Sequence, residues 1–481
     1  MKNIFIAFIV CLLASCSEKE AINVKPVAAF KTNALVIQEG QILTVTDLSF
    51  DQDGEIVKWL WDFGNGLVSE LKSPENIVYN TPGEYSITLS VWDEKGIQNA
   101  NLFSKNIVVK ERSLSDVVPD ILWEYTATSG FQDISPAIDS NGNVIIGCDA
   151  KTGRGVYNIL VVNKGVEKWR YASGDVVRSS PAIADNGIMY IGSYDKKLYA
   201  FTAASPEPLG TFNLGVSAKY SSPAIDKDGT VYFSANKKLM AITAAPEMKL
   251  KWSGDCENTT QSTPIIGTNA VYVCSNSGKL YAFSKDGMLL WKVDYGKTCS
   301  AVSAMDEDET IYLCGETDEG GVVMAVQADG IVKWKQNTTA KFANSGISLS
   351  ATGQLYVGNS SGELVCYNQN NGEKLWTFNA KGQIRSVPAI DNGGNIYFGD
   401  AQGFFYVLNA QGKSLYKELK LGSNIWSSPL IDENGIIYIC SDGDSPTVPG
   451  KLYALQTTAT GVQGSWAMRS GDSRRSARKM K

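Results

Sequence analysis

From residue 121 onward the chain is written in short apolar runs, each closed by a polar turn, and one line recurs. SSPAIDKDGTVYF (221–233) reappears as SSPAIADNGIMYI (179–191), SVPAIDNGGNIYF (386–398) and SSPLIDENGIIYI (427–439). In each copy an apolar pair precedes a polar turn ending in glycine, and an apolar run with a tyrosine follows. Val/Ile/Tyr-rich runs bounded by Gly, Asn and Asp predict strands joined as hairpins, with Gly229 supplying the left-handed turn residue. A third apolar run follows (238–242), then a turn, then a strand carrying one large aromatic. Those aromatics are Trp169, Phe212, Trp252, Trp291, Trp334, Trp376 and Tyr416.

Aligned on the proline or its equivalent, the anchors are Pro136, Pro181, Pro223, Pro264, Ser303, Ile347, Pro388 and Pro429, spaced 45, 42, 41, 39, 44, 41 and 41 residues apart. Four short strands repeated with a period near forty predict a β-propeller, and eight copies predict eight blades. The proline-bearing strand is the innermost, where an edge without a neighbour tolerates a residue lacking N–H. Each aromatic precedes the next anchor by 11 to 13 residues, so each is expected at an equivalent, blade-docking position. Burying such a ring covers about 150–250 Å², worth roughly 2–3 kcal/mol. The strand ILWEY (121–125) has no inner strands before it, and the last unit lacks an outer one; ILWEY is expected to complete the eighth blade and hide its edge.

Residues 26–112 follow a different pattern. YSITLSVW (85–92) alternates strictly, with Tyr85, Ile87, Leu89 and Val91 on one face, as in a half-buried strand. Trp59 and Trp61 share a face of a preceding strand, and WDFGNG (61–66) turns tightly on Gly64 and Gly66. Asp51, Asp53 and Asp62 cap this loop, with calcium ligation as the alternative. Residues 113–120 read as a polar linker.

The chain carries a net charge of −6, which argues against a general nucleic-acid binder. The basic stretch 467–481 reads as a solvated tail or rim contact. There is no histidine, which removes Ser-His-Asp and Cys-His nucleophiles and histidine-ligated zinc. Cys274, Cys314 and Cys440 stand where other copies have Gly192, Ser234, Gly358 and Gly399, a small buried position; a Cys256–Cys299 disulfide is the alternative use of a thiol pair. At the start, Lys2, an apolar run (4–14) and Leu13-Ala14-Ser15-Cys16 form a signal segment too short to span a bilayer. Residues 1–15 are thus expected to be removed, Cys16 lipidated and 16–25 left as a tether, with Ser17 compatible with the outer membrane.

Three resemblances follow from these residues. LASC at 13–16 resembles a bacterial lipobox. The pair WDFGNG and YNTPGEYSITLSV (79–91) resembles the PKD domain, an immunoglobulin-like sandwich that implies a spacer or interaction module. CYNQNNGEKLW (366–376) and AFSKDGMLLW (282–291) resemble the tryptophan-docking motif of quinoprotein propellers, in which the indole packs flat on a neighbouring blade, and SWAMRSGDSRR (465–475) resembles a segment common in that family. The ring is thus similar to the PQQ-like superfamily, including BamB-like lipoproteins of outer-membrane protein assembly. Enzyme members hold pyrroloquinoline quinone and calcium beside a vicinal disulfide. This chain has no adjacent cysteines, so neither cofactor nor metal is expected. The resemblance implies a non-enzymatic, lipid-anchored envelope scaffold that binds protein or glycan, with a quinone-dependent dehydrogenase or a BamB-like assembly factor as the alternatives and oligomeric state left open. Tyr194, Tyr220, Tyr295, Phe342 and Trp426 are candidates for a sugar platform, with packing as the competing role.

Overall fold

The computed structural model describes residues 23–74, 77–111, 117–131, 133–148, 159–258, 260–298, 303–342, 345–443, 448–462 and 466–478. Cys16 and Cys299 lie outside them, and with them the lipidation site and the Cys256–Cys299 pairing. The described residues are all-β and contain no helix. The chain divides into two compact units, residues 1–111 and 112–481.

The first unit is a sandwich. Its five-stranded sheet runs in the order Val36–Gln38, Phe103–Lys110, Gly83–Asp93, Ile56–Asp62, Val68–Ser69, and two short strand pairs lie outside that sheet. The alternation in the long strand places Ile87, Leu89 and Val91 in the core with the fully buried Trp61. Trp61 satisfies its indole N–H on Leu71 O at 2.9 Å. Trp59 is half-buried and donates to Asp47 at 2.9 Å. Gly64 and Gly66 adopt φ of +74° and +90°.

The second unit contains eight four-stranded antiparallel sheets among the described residues. Numbered as blades 1 to 8, their innermost strands are Ala137–Ile138, Ala182–Ile183, Ala224–Ile225, Ile265–Ile266, Ala304–Met305, Ile347–Leu349, Ala389–Ile390 and Leu430–Ile431. Seven anchors sit immediately before these strands, and Ile347 opens its own. Asp120–Thr126 pairs antiparallel with Lys451–Gln456 and forms the outer edge of blade 8, so the first strand of the ring closes the last sheet.

The recurring serines explain how neighbouring blades join. Along blades 7, 8, 1, 2 and 3 the residue before each anchor donates its backbone N–H to a serine hydroxyl of the next blade: Val387 to Ser428 at 3.0 Å, Ser428 to Ser135 at 2.9 Å, Ser135 to Ser180 at 3.1 Å and Ser180 to Ser222 at 3.0 Å. The small position after the tyrosine has a packing cause. A Cβ at Gly399 would lie 2.1 Å from Ile425 Cγ2, and one at Gly358 2.2 Å from Ile384 Cγ2. Cys274 and Cys440 occupy the same position in their blades and are both buried.

The C-terminal stretch is not a solvated tail. Trp466, Ala467, Met468, Ser470, Arg475 and Ala477 are at most 1% exposed. Residues 466–477 run round the hub, and their carbonyls accept one inner-strand N–H from each of six blades at 2.8–3.1 Å: Leu349 to Trp466, Ile390 to Ala467, Ile138 to Ser473, Ile183 to Arg474, Ile225 to Ser476 and Ile266 to Ala477. A strand edge facing a channel must find acceptors; here the chain's own end supplies them. Charge alone pointed to solvent, but the stretch follows directly on Trp466 and holds Met468, and Arg474, Arg475 and Arg478 have acceptors.

Candidate functional site

Strand register sets the blade-docking aromatics. Trp252, Trp291, Trp334 and Trp376 stand opposite Ala241, Ala282, Ala325 and Cys366 on the third strand of their own blades. Each indole N–H donates to a turn carbonyl of the next blade: Lys285 at 2.7 Å, Ala328 at 2.9 Å, Gln369 at 2.9 Å and Ala410 at 3.1 Å. Beside each carbonyl is a left-handed glycine, Gly287, Gly330, Gly372 or Gly412, whose absent Cβ would sit 2.6–2.9 Å from the indole. Trp169 donates to Ala203 O at 2.9 Å in the same manner. Tyr416 is buried in the cluster that also contains Tyr397 and Tyr438.

Phe212 is a correction. It pairs with Leu198, and the register place of the tryptophans, opposite Ala200, belongs to Gly210. Pro246 O and Met248 of the next blade lie 2.7–3.3 Å from a Cβ built there, so the neighbouring turn fills the space of the missing indole. The outer strand of blade 2 runs nine residues, Ser205–Asn213, and spacing to the next anchor alone does not fix its register. The structure adds one wedge, on the strand that closes blade 8. Trp123 pairs with Ala454, lies 5.8 Å from Tyr438, and packs against left-handed Gly165 of blade 1. Its register position was the available signal.

At the axis, Arg475 is 1% exposed. Its guanidinium donates to Pro136 O, to Arg469 O at 2.9 Å and to Ser428 O at 3.2 Å. Burial pushes its pKa down to about 9, and carbonyl acceptors from blades 1 and 8 offset that cost. Pyrroloquinoline quinone with calcium does not fit here. The chain's own residues fill the inner ends of the blades, and among the described residues no group of three or more carboxylates or thiols could hold a metal ion. In the first unit Asp62 accepts the N–H of Gly64, Asp51 that of Asp53, and Asp53 that of Val24: they hold loops.

The start of the inner strands builds a different cluster. Three residues before each anchor stand Asp133, Arg178, Tyr220, Gln261, Arg385 and Trp426 among the described residues. Arg385 of blade 7 reaches Asp133 of blade 1, Nη1 to Oδ1 at 3.8 Å. That contact spans blade 8, so both side chains point to the axis. The Arg385 guanidinium lies 4.2 Å over the Trp426 ring. Arg178 donates to Tyr220 Oη at 3.3 Å and lies 5.7 Å from the Tyr194 ring. Burial raises the Asp133 pKa, and Arg385, Arg178 and Arg469 oppose that rise. Asp442 faces the same group and accepts the Phe131 N–H at 2.6 Å. Of the proposed sugar platform, Tyr194, Tyr220 and Trp426 meet at this mouth. Tyr295 and Phe342 do not: they are 0% and 2% exposed, and Tyr295 bonds Ser275 O at 2.7 Å. Both fill cores between blades.

A model of the PKD domain matches residues 28–106. One described as outer membrane protein assembly factor BamB matches 195–366 and 319–463. The chain is similar to the BamB of Moranella endobia (strain PCIT), 29% identical over 196 residues, covering 37% of this chain and 47% of that protein. It is 43% identical over 74 residues to the pre-pro-metalloprotease PrtV of Vibrio cholerae, 15% of this chain and 8% of that one. The chain thus spans about half the length of this BamB relative and under a tenth of the protease. Among solved structures it resembles BamB from Moraxella catarrhalis, with TM-score 0.55 and 16% identity over 70% of this chain and 100% of that one. It also resembles a quinohemoprotein alcohol dehydrogenase from Comamonas testosteroni, with TM-score 0.55 and 13% identity over 72% of this chain and 77% of that one. At such identities the likeness is one of fold.

Proposed function

We propose, for a chain that belongs to the family described as outer membrane protein assembly factor BamB, a non-enzymatic role as a lipid-anchored envelope protein that presents its propeller to a protein or glycan ligand. The hub carries this reading. Residues 466–477 take six inner-strand N–H groups, so the axis at that end is packed with the chain's own backbone. The opposite mouth offers guanidinium and aromatic side chains, which bind through charge and ring faces. Acyl chains on Cys16 supply the anchor, and the PKD unit serves as a spacer. The purified full chain, given pyrroloquinoline quinone and calcium, is expected to show neither quinone absorbance nor dye reduction; either signal would overturn a non-enzymatic role. Radiolabelled palmitate should enter the wild-type chain and not Cys16→Ala, and protease shaving of intact cells decides which face of the membrane the ring occupies.

The family match favours a second reading, a part in outer-membrane protein assembly as named for the BamB relatives. The PKD unit lies outside the matched residues and is the departure. Recovery of a β-barrel assembly complex in an envelope pull-down would select this reading; a glycan-array signal without such a complex would select the first.

A further inference from the structure

We propose that the channel mouth is a carboxylate site for a uronic-acid residue of an acidic envelope glycan, held by Arg178, Arg385 and Arg469 beside Trp426 and Tyr220. The proposal rests on the binding-ring reading above and names its ligand chemistry.

Charge makes the first argument. Three guanidiniums, from blade 2, blade 7 and the C-terminal segment, face two carboxylates, Asp133 and Asp442. Asp133 meets Arg385 only at 3.8 Å, and Asp442 also accepts a backbone N–H. The cluster carries an excess positive charge at a place where Arg469 is 8% exposed, in a chain whose net charge is −6. Removed from water, such an excess needs an anion.

Hydrogen bonding makes the second. The Nε atoms of Arg385 and Arg469 and the Nε1 of Trp426 are buried with no hydrogen-bond partner among the described residues. All three are donors without acceptor capacity, so their missing partner is an acceptor. The Arg385 guanidinium sits over the Trp426 ring at 4.2 Å, and its planar fork is suited to two-point contact with a carboxylate. The backbone is strained in the same place: Tyr220 has φ of 59° and Asp133 of 58°. A bulky aromatic in the left-handed region is uncommon, and such strain gathers at ligand clamps.

The choice between sugar and peptide follows from the backbone. A peptide end would be held by strand pairing and free N–H groups. One inner-strand N–H of each of six blades is already taken by residues 466–477. What remains at the mouth is half-buried ring faces beside guanidiniums. A pyranose uronate matches that pair, with a C–H face for the rings and a carboxylate at its edge.

Titration calorimetry of the full chain with tetragalacturonic acid, neutral galactotetraose and an acidic peptide with a free C-terminus tests the proposal. The uronate should bind at least about tenfold more tightly than the neutral sugar, as the loss of one charge-assisted contact implies, and more tightly than the peptide. Arg385→Gln should weaken uronate binding by about tenfold or more with melting little changed, and Arg385→Lys should fall between. Tyr220→Gly should raise the melting temperature by relieving the left-handed residue while lowering affinity, a combination that a purely structural tyrosine would not produce. Equal binding of acidic and neutral sugars, tighter binding of the peptide, no uronate binding, or an unaltered Arg385→Gln would each overturn it. If the chain then binds neutral glycans or an envelope protein without dye reduction, the binding-ring reading survives and only the uronate assignment falls.

Discussion

Placing alanine at Gly412 and at Trp376, singly and together, tests whether the indole wedges join the blades. Trp376 donates to Ala410 O at 3.1 Å. A Cβ on Gly412 would lie 2.8 Å from its Cε3, and Gly412 has φ of +78°. Gly412→Ala should therefore cost about 1–2 kcal/mol for the left-handed backbone and a further 1–3 kcal/mol, roughly, for overpacking. Trp376 is half-buried, so Trp376→Ala should cost about 2–4 kcal/mol, below the range for a fully buried ring. Independent sites would add to within about 0.5 kcal/mol. These two share the indole: once it is gone, the new methyl has nothing to strike. The double variant should thus be about 1–3 kcal/mol more stable than the sum of the single losses. Urea unfolding followed by far-ultraviolet circular dichroism measures this without relying on the deleted fluorophore. Gly353 is the control, with φ of +80° and nothing within 4 Å of its Cβ position; Gly353→Ala should cost only the backbone part and show no coupling to Trp376. Strict additivity at Gly412 and Trp376 would refute the wedge.

Ser428→Ala removes the acceptor of the Val387 N–H and should destabilise the ring by about 1–3 kcal/mol, the cost of a buried unsatisfied donor; an unchanged thermal transition would show that the serine contacts do not join the blades. Burial pushes the thiols of Cys256 and Cys366 up to about 12, so little thiolate exists near neutrality. Site-resolved mass spectrometry should find both unalkylated in the native chain and alkylated in urea, and native labelling of either would contradict the packing. Arg478 foremost, with Arg474, holds the Asp185 carboxyl below its ordinary value of 3.8. This contribution is present above that value and fades as pH falls through the lowered one. Amide exchange in residues 474–478 should therefore rise, relative to its intrinsic rate, only below about pH 3.8, and Asp185→Asn should already show the faster exchange at neutral pH. Identical profiles for the two chains would remove the ion pairs from the hub's attachment.

Much of the architecture could be read along the chain. The forty-residue period placed all eight inner strands to within a residue, because an apolar pair, a turn aspartate and a left-handed glycine act within a dozen positions. Asp432, for example, accepts the N–H groups of Asn434 and Ile436 at 2.9 Å and the hydroxyl of Tyr438 at 3.1 Å, all inside one hairpin. The PKD sandwich and the closing strand were legible for the same reason, and Trp169, Trp252, Trp291, Trp334 and Trp376 could be named. Phe212 could not be placed by counting, since an outer strand's register depends on what the next blade brings against it. Tyr295 and Phe342 looked like loop aromatics because each lies in a connection between two blades, and only the folded ring lays the strands carrying Gly315 and Gly321 against them.

Local pattern by itself determined the strands, their turns, the two units and the absence of histidine chemistry. The closed hub and the arginine mouth were decided only in three dimensions. Ser428 meets Ser135 across 293 positions and Arg475 meets Pro136 across 339, pairings that a forty-residue repeat does not encode. A basic C-terminus is soluble as an isolated stretch; it becomes core only when closure of the ring leaves inward-facing N–H groups in need of acceptors.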